Sequence, residues 1–200
     1  ILGEEFGVTK RSERYMWIID PIDGTLAFSH GVPLFTTLLS LFDTQTYEPI
    51  FSAISIPMLN KIVYAMKGCG AWDAGKRLTI SKQSIARGNT PLFLSYDWKI
   101  VKQKHPNAYS ELSEYPAHFR TWADAYAYYL VAANKARLVI DANMHTWDIA
   151  PVFLILVESG GFVSNWQGEV LNWQQIIETN TVDVIAAADR EILDTILAKF

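Results

Sequence analysis

The chain has 200 residues, half of them hydrophobic and 13% aromatic, enough for one globular unit with a sizeable core and too few for two large ones. Its formal net charge of −4 and pI near 5.5 exclude the basic excess that a nucleic-acid or anionic-membrane surface needs, so neither partner is expected. The lone cysteine, Cys69, permits no intramolecular disulfide and implies a reducing compartment, hence a cytoplasmic location. It reads as an inert small hydrophobe between Gly68 and Gly70. The longest apolar run, 149–157, is too short to span a bilayer, and "ILGEEFGVTK" has no basic-then-apolar signal. The sequence starts without methionine and already inside a motif-like "LGEE", so a preceding segment is expected to be missing from it.

Periodicity and breakers predict mixed α and β structure in a single domain, 1–200, with sub-lobes at 1–89 and 90–200. "YMWIID" (15–20) is a buried strand ended by Pro21, followed by strands at 34–42, 49–57 and 61–68, four that suit one antiparallel sheet. The segment 87–93 reads as a linker between the lobes, and 90–97 as a strand. "DWKIVKQKH" (97–105) reads as a solvated helix face. "WADAYAYYLVAANK" (122–135) has helical spacing and "ARLVID" (136–141) returns as a strand. The segment 145–161 predicts a helix beginning near Trp147 or Asp148, with Pro151 in its first turn and Gly160-Gly161 at its end. A strand (182–188) and a helix (189–200) capped by Asp189 close the chain. Alternating layers of helix and sheet, an α+β class, follow.

The informative stretch is "WIIDPIDGTLAF" (17–28), which carries Asp20 and Asp23 into a Gly-Thr turn. Residues three apart on a regular strand face opposite ways, but Pro21 bends the chain, so both carboxylates can converge. Gly24 and Thr25 then open a helix or turn whose free N–H groups favour an anion. Acids beside an anion hole make sense with cations between them, and Mg²⁺ takes a few carboxylates plus water and phosphate oxygens. Asp20 as a strand-end residue and Asp23 as a turn former is the competing structural reading. Glu4 and Glu5 of "GEE" and Asp148 of "TWD" supply further acids, although Asp148 also suits a helix N-cap. "IDGTL" resembles the nucleophile loop of haloacid-dehalogenase-type phosphatases, but the nucleophile's position there is Pro21, which has no nucleophilic group.

Three segments, "LGEE" (2–5), "WIIDPIDGTLAF" (17–28) and "TWDIAPVFLILVESGG" (146–161), together resemble the inositol monophosphatase superfamily of Mg²⁺-dependent, lithium-sensitive phosphatases. The resemblance implies a layered αβαβα fold and a site of two or three Mg²⁺ ions, with Mn²⁺ as a substitute and Li⁺ as an inhibitor. It implies that Glu4 ligates one metal, that Asp20 bridges two, and that the Ile22 carbonyl completes the first. Asp23 and Asp148 hold the second. Thr25 with Glu4 orients the attacking water, and the N–H groups of Gly24 and Thr25 hold the phosphate. Family members carry helices before the GEE element that pack on the sheet and lend a residue to a loop beside the metals, so those helices are expected to be absent from this sequence. A homodimer is expected by analogy.

The segment "DGTLAF" has Ala27 where inositol phosphatases usually have asparagine, and looks more like the histidinol-phosphate phosphatase branch. "RTWADAYAYYL" (120–130) is similar to that branch's arginine, aspartate and paired tyrosines, here Arg120, Asp124, Tyr126 and Tyr128, with Ala123 replacing a glycine. Asp124, Asp141 and Arg120 become candidates for binding the organic part of the substrate, since an amine or imidazolium favours carboxylates; helix packing is the alternative for the tyrosines, and a structural role the alternative for Arg120. None of the four histidines has a partner at metal-ligand spacing, and His145 is expected to face solvent or cap the helix. The reading is a Mg²⁺-dependent phosphomonoesterase converting histidinol phosphate to histidinol and phosphate. The alternatives are an inositol-1-phosphate, 3′-phosphoadenosine phosphate or sugar bisphosphate phosphatase, and a non-catalytic scaffold with the same fold.

Overall fold

A computed structural model describes residues 1–5, 7–8, 14–81, 92–94, 98–114, 118–122 and 124–200. Its first sheet has eight strands: β1 (Leu2–Gly3), β2 (Gly7–Val8), β3 (Tyr15–Asp23), β4 (Thr36–Asp43), β5 (Glu48–Ile56), β6 (Lys61–Met66), β7 (Gly70–Asp73) and β8 (Lys76–Leu78), in the order β2-β1-β3-β4-β5-β6-β7-β8. Every pairing in it is antiparallel except β1 with β3. The four strands expected to pair antiparallel do so as β3 to β6. The second sheet has five strands, β9 (Leu92–Leu94), β10 (His118–Arg120), β11 (Leu138–His145), β12 (Phe162–Asn165) and β13 (Thr181–Ala187), ordered β10-β9-β11-β13-β12.

The helices are α1 (Thr25–Ser29), α2 (Trp98–Lys104), α3 (Pro106–Ser113), α4 (Asp124–Ala132), α5 (Thr146–Glu158), α6 (Trp173–Thr179) and α7 (Arg190–Leu197). Both α4 and α5 bury their apolar residues with the inner face of the first sheet and with Val139, Val184 and Ala186 of the second. On the other face of the second sheet, Leu138, Ile140 and Ile185 pack against Val101 of α2, Leu112 of α3 and Leu193 and Ile196 of α7. The layers therefore run sheet, helix, sheet, helix, and the two faces of the second sheet are both covered. The first sheet is apolar outside as well. Trp17, Leu41, Phe51 and Met66 form one cross-strand row and Ile19, Leu39, Ala53 and Tyr64 another, facing away from the buried Ile18, Leu38, Ile54, Val63 and Ala65.

Several boundaries differ from the sequence-based expectation for physical reasons. Strand β3 does not end at Pro21 but continues to Asp23, because Asp20 lies opposite Leu38 and Asp23 opposite Thr36. Three steps on β3 thus match two on β4, a bulge in which the missing proline N–H costs no ladder bond. Helix α5 starts at Thr146 with His145 as its N-cap, so Asp148 is the third helical residue rather than the cap. Pro151 falls in the second turn, one turn later than expected, where it removes the intrahelical donor to the Trp147 carbonyl. At the far end of α5 the Glu158 carboxylate accepts from the Gly68 and Gly70 N–H groups, both at 2.7 Å. That clasp leaves Cys69 exposed, contrary to its reading as a small hydrophobe. Asp189 caps α7 as anticipated, accepting from the Ile192 N–H at 2.9 Å. Helix α2 is not a purely solvated face, since its Val101 is fully buried. Apart from β9, the linker and strand expected over 87–97 lie outside the described residues.

Candidate active site

The bulge in β3 restores to one side the two acids that a regular strand would separate. Asp20 and Asp23 are both buried, and their oxygens lie with one from Asp148 within 4.8 Å of one another. The carboxylates are held from several directions. Asp20 Oδ1 accepts from the Ile22 N–H at 3.0 Å, and Thr37 donates its hydroxyl to the Pro21 carbonyl at 2.9 Å, which fixes the bulge. Asp23 Oδ2 accepts from the Thr36 hydroxyl at 2.6 Å and from the Ala125 N–H at 3.0 Å. Asp148 Oδ2 accepts from the His145 N–H at 2.9 Å, one half of a capping box.

These three acids border a cleft of about 250 Å³. Glu4, Ile22, Gly24, Thr25, Asp124 and Asp141 line it too. Of the three residues expected to bind the organic part of the substrate, Arg120 does not: its guanidinium donates to the Phe119 carbonyl at 2.6 Å. In the same cleft the buried Asp141 accepts from the Tyr128 hydroxyl at 3.0 Å, so this tyrosine does more than pack its helix. Asp124 adopts a left-handed φ of 54°, sparsely populated for a residue with a Cβ. A Cβ on Gly24, whose φ is 77°, would lie 2.6 Å from Asp124 Oδ2; only glycine permits this approach of the β3–α1 turn to α4.

Burial and crowding of like charge dominate the electrostatics. Asp148 is pushed up to about 8 by burial first, then by the charges of Asp23, Asp20 and Glu4, against the lowering effect of the His145 N–H. Burial, with repulsion from Asp23 and Glu4, raises Asp20 to about 7. Asp23 rises to about 7 through burial and the charge of Asp124, and Asp124 to about 6 through burial and the charges of Asp141 and Asp20. Such a set of carboxylates is costly alone and is stabilised by cations. The donors are hard oxygens, converge within one coordination sphere's span, and carry excess negative charge, which fits a hard divalent ion such as Mg²⁺.

Sequence reasoning missed Thr36, Leu26, Ile100, Asn143, Met144 and Trp147. Thr36 reaches Asp23 only through the β3–β4 register, and Ile100 lines the cleft from a helix far along the chain. His145, expected to cap the helix or face solvent, does both; its ring stacks on Trp147 with centroids 4.8 Å apart at the cleft's edge. The Trp-Asp dipeptide was the available signal for Trp147.

Comparison with known proteins identifies the family and the fold. The histidinol-phosphatase of Chlorobaculum parvum is 30% identical over 183 residues, covering 90% of this chain and 69% of that protein. The fructose-1,6-bisphosphatase/inositol-1-monophosphatase of Thermotoga maritima is 30% identical over 178 residues, 86% of this chain and 64% of its own length. The Nus factor SuhB of Xylella fastidiosa is 28% identical over 171 residues, 84% of this chain and 61% of its own. The chain thus spans about two thirds of these relatives. Among solved structures, the Thermotoga maritima IMPase superposes with a TM-score of 0.79 at 27% identity, over 98% of this chain and 72% of that one. An inositol monophosphatase from Zymomonas mobilis, at 22% identity, covers 97% of this chain and 73% of its own with a TM-score of 0.83, which speaks for the fold alone. The model of the inositol monophosphatase family matches residues 1–200, and the chain belongs to that family.

Proposed function

We propose that the chain is a Mg²⁺-dependent phosphomonoesterase for a small, aminated metabolite phosphate, with histidinol phosphate the substrate favoured over inositol phosphate. The observation that carries this reading is the convergence of Asp20, Asp23 and Asp148 within 4.8 Å in a cleft that Asp124 and Asp141 also line. Glu4, Asp20, the Ile22 carbonyl, Asp23 and Asp148 would hold two or three ions. Bound there, the ions supply an activated water and neutralise phosphate charge, the two needs of a monoester whose uncatalysed hydrolysis demands accelerations up to about 10²¹-fold. One positioned acid or base supplies only about 10²–10⁴-fold.

The chain's own groups do the positioning. In this reading the N–H groups of Gly24 and Thr25, which line the cleft at the start of α1 where N–H groups have no intrahelical acceptor, donate to phosphate oxygens. The Thr25 hydroxyl and the Glu4 carboxylate orient the attacking water and take its proton. Water oxygen forms the new bond to phosphorus as the ester P–O bond breaks, and the alcohol leaves with a proton. The Asp124 and Asp141 carboxylates attract an ammonium or imidazolium at the organic end, while the His145–Trp147 stack offers a flat apolar flank. Phosphate release should be measured on histidinol phosphate, inositol monophosphate, an adenosine bisphosphate and fructose bisphosphate, with and without Mg²⁺. Mg²⁺-dependent release led by histidinol phosphate supports the reading. Preference for another substrate retains the reaction and discards the aminated substrate, and no release from any of them in folded protein favours a scaffold.

A further inference from the structure

One wall of the cleft is a second bulge, and it is fastened from outside. In β11, Asp141 lies opposite Val184 and Met144 opposite Val182, so Ala142 and Asn143 together face the single residue Asp183. The extra residue reverses the side-chain parity of the strand. Asn143 takes a left-handed φ of 57°, and five consecutive residues, Asp141 to His145, line the cleft. Asp183 Oδ1 accepts from the Asn143 N–H at 2.8 Å. Lys104, the last residue of α2, donates from one Nζ to Asn143 Oδ1 and to both oxygens of Asp183, each at 2.7 Å. Its ammonium also lies 5.9 Å from the centre of the Trp166 ring, whose indole N–H is tied to the Val184 carbonyl at 3.1 Å. One turn before Lys104, Ile100 lines the same cleft.

We propose that Lys104 and Asp183 form a positioning clamp, which holds the Ala142–Asn143 bulge and so sets where Asp141 and Ile100 meet the organic part of the substrate. The idea rests on the phosphatase reading above. Neither residue of the clamp lines the cleft, and the pair is partly exposed, with side-chain accessibilities of 37% and 27%, so its contribution to global stability is small. Its effect falls on geometry, where a displacement of about 1 Å costs up to 10²-fold.

The test uses the full chain with Lys104→Met, Asp183→Asn and the conservative Lys104→Arg. Amide hydrogen exchange in metal-free protein is the first readout: Lys104→Met should speed exchange at Asn143 about tenfold while residues 15–23 stay unchanged, and Lys104→Arg should restore protection. Steady-state kinetics are the second. Lys104→Met and Asp183→Asn should raise KM for the best organic phosphate about tenfold, with kcat and the inhibition constant of inorganic phosphate within about twofold of wild type. Unchanged exchange at Asn143 overturns the clamp, as does faster exchange with an unchanged KM or an equal shift in KM and phosphate inhibition. If the wild-type chain releases no phosphate at all, the phosphatase reading fails and the substrate role of the wall fails with it. Turnover in the wild type with unaffected variants sinks the clamp alone.

Discussion

Each sheet brings one bulge to the cleft, and the two are secured differently. The bulge at Pro21-Ile22 is fastened inside its own sheet, by the Thr37 hydroxyl on the Pro21 carbonyl and the Ile22 N–H on Asp20. The bulge at Ala142-Asn143 is held by Asp183 of its own sheet on the Asn143 N–H, and in addition by the Lys104 ammonium of a separate helix. In both, one extra residue changes which side chains face inward. The first gathers the acids proposed to hold metal, and the second sets out the wall proposed to hold the organic group. A bulge fixed by its own neighbours suits chemistry that is common to every substrate; one fixed from a distance leaves room to vary what is bound.

That contrast is broken most severely at Asp20. Asp20→Asn keeps the shape and the Ile22 hydrogen bond but removes a charge proposed to hold metal, and kcat should fall on the order of 10³-fold or more in a Mg²⁺-supplemented phosphate-release assay. Retention of a tenth of wild-type activity would refute the metal role. Thr36→Val acts one step further out. With the hydroxyl gone from Asp23 Oδ2, the Mg²⁺ concentration for half-maximal activity should rise about 10- to 100-fold, while kcat at saturating Mg²⁺ is largely recovered.

At the second bulge the effect should be substrate-selective. Asp141→Asn still accepts from Tyr128 but presents no charge, so KM for histidinol phosphate should rise about tenfold with that for inositol phosphate little altered. Equal increases for both would mean that Asp141 does not read the amine.

The smallest effect is a dependence of stability on pH. Asp20, Asp23 and Asp148 have folded values of about 7, 7 and 8, above their ordinary 3.8, so without cations the folded chain binds more protons than the unfolded chain between those limits. Stability from these groups is therefore greatest near and below pH 4 and is lost as pH rises through 7 and 8. In EDTA the melting temperature should drop by roughly several degrees from pH 5.5 to 8.5, and Mg²⁺ should restore more at the higher pH. A melting temperature that climbs over this range in EDTA would contradict the electrostatic account.

The two bulges also differ in how far the sequence announces them. Proline between two aspartates is incompatible with a plain strand, so convergence of Asp20 and Asp23 was readable from "DPIDGT". "DANMH" holds neither proline nor glycine, and the left-handed Asn143 follows from pairing with β13 some forty residues away. Strands β3 to β6 were legible because their inner and outer faces are both apolar, which gave unbroken hydrophobic runs at Trp17, Ile18 and Ile19. The short hairpin β7–β8 and helix α6 carry too few apolar residues to be seen without their partners. Asp148 was found by its dipeptide, yet its place three residues into the helix depended on His145 serving as the cap.

The hydrogen bond from the Ala125 N–H to Asp23 joins residues 102 apart in the chain, and Gly24 touches Asp124 beside it. Neither contact exists until the β3–α1 turn has met α4, and such distant pairings form slowly because loop closure precedes their reward. Refolding should show its helical and sheet signals early, while the ability to bind Mg²⁺ returns only in the last phase. The site is in this sense a report on completed folding: a chain that has stalled with its two sheets formed but undocked has the Asp20–Asp23 pair of the β3 bulge but lacks Asp148, Asp124 and Asp141 beside it.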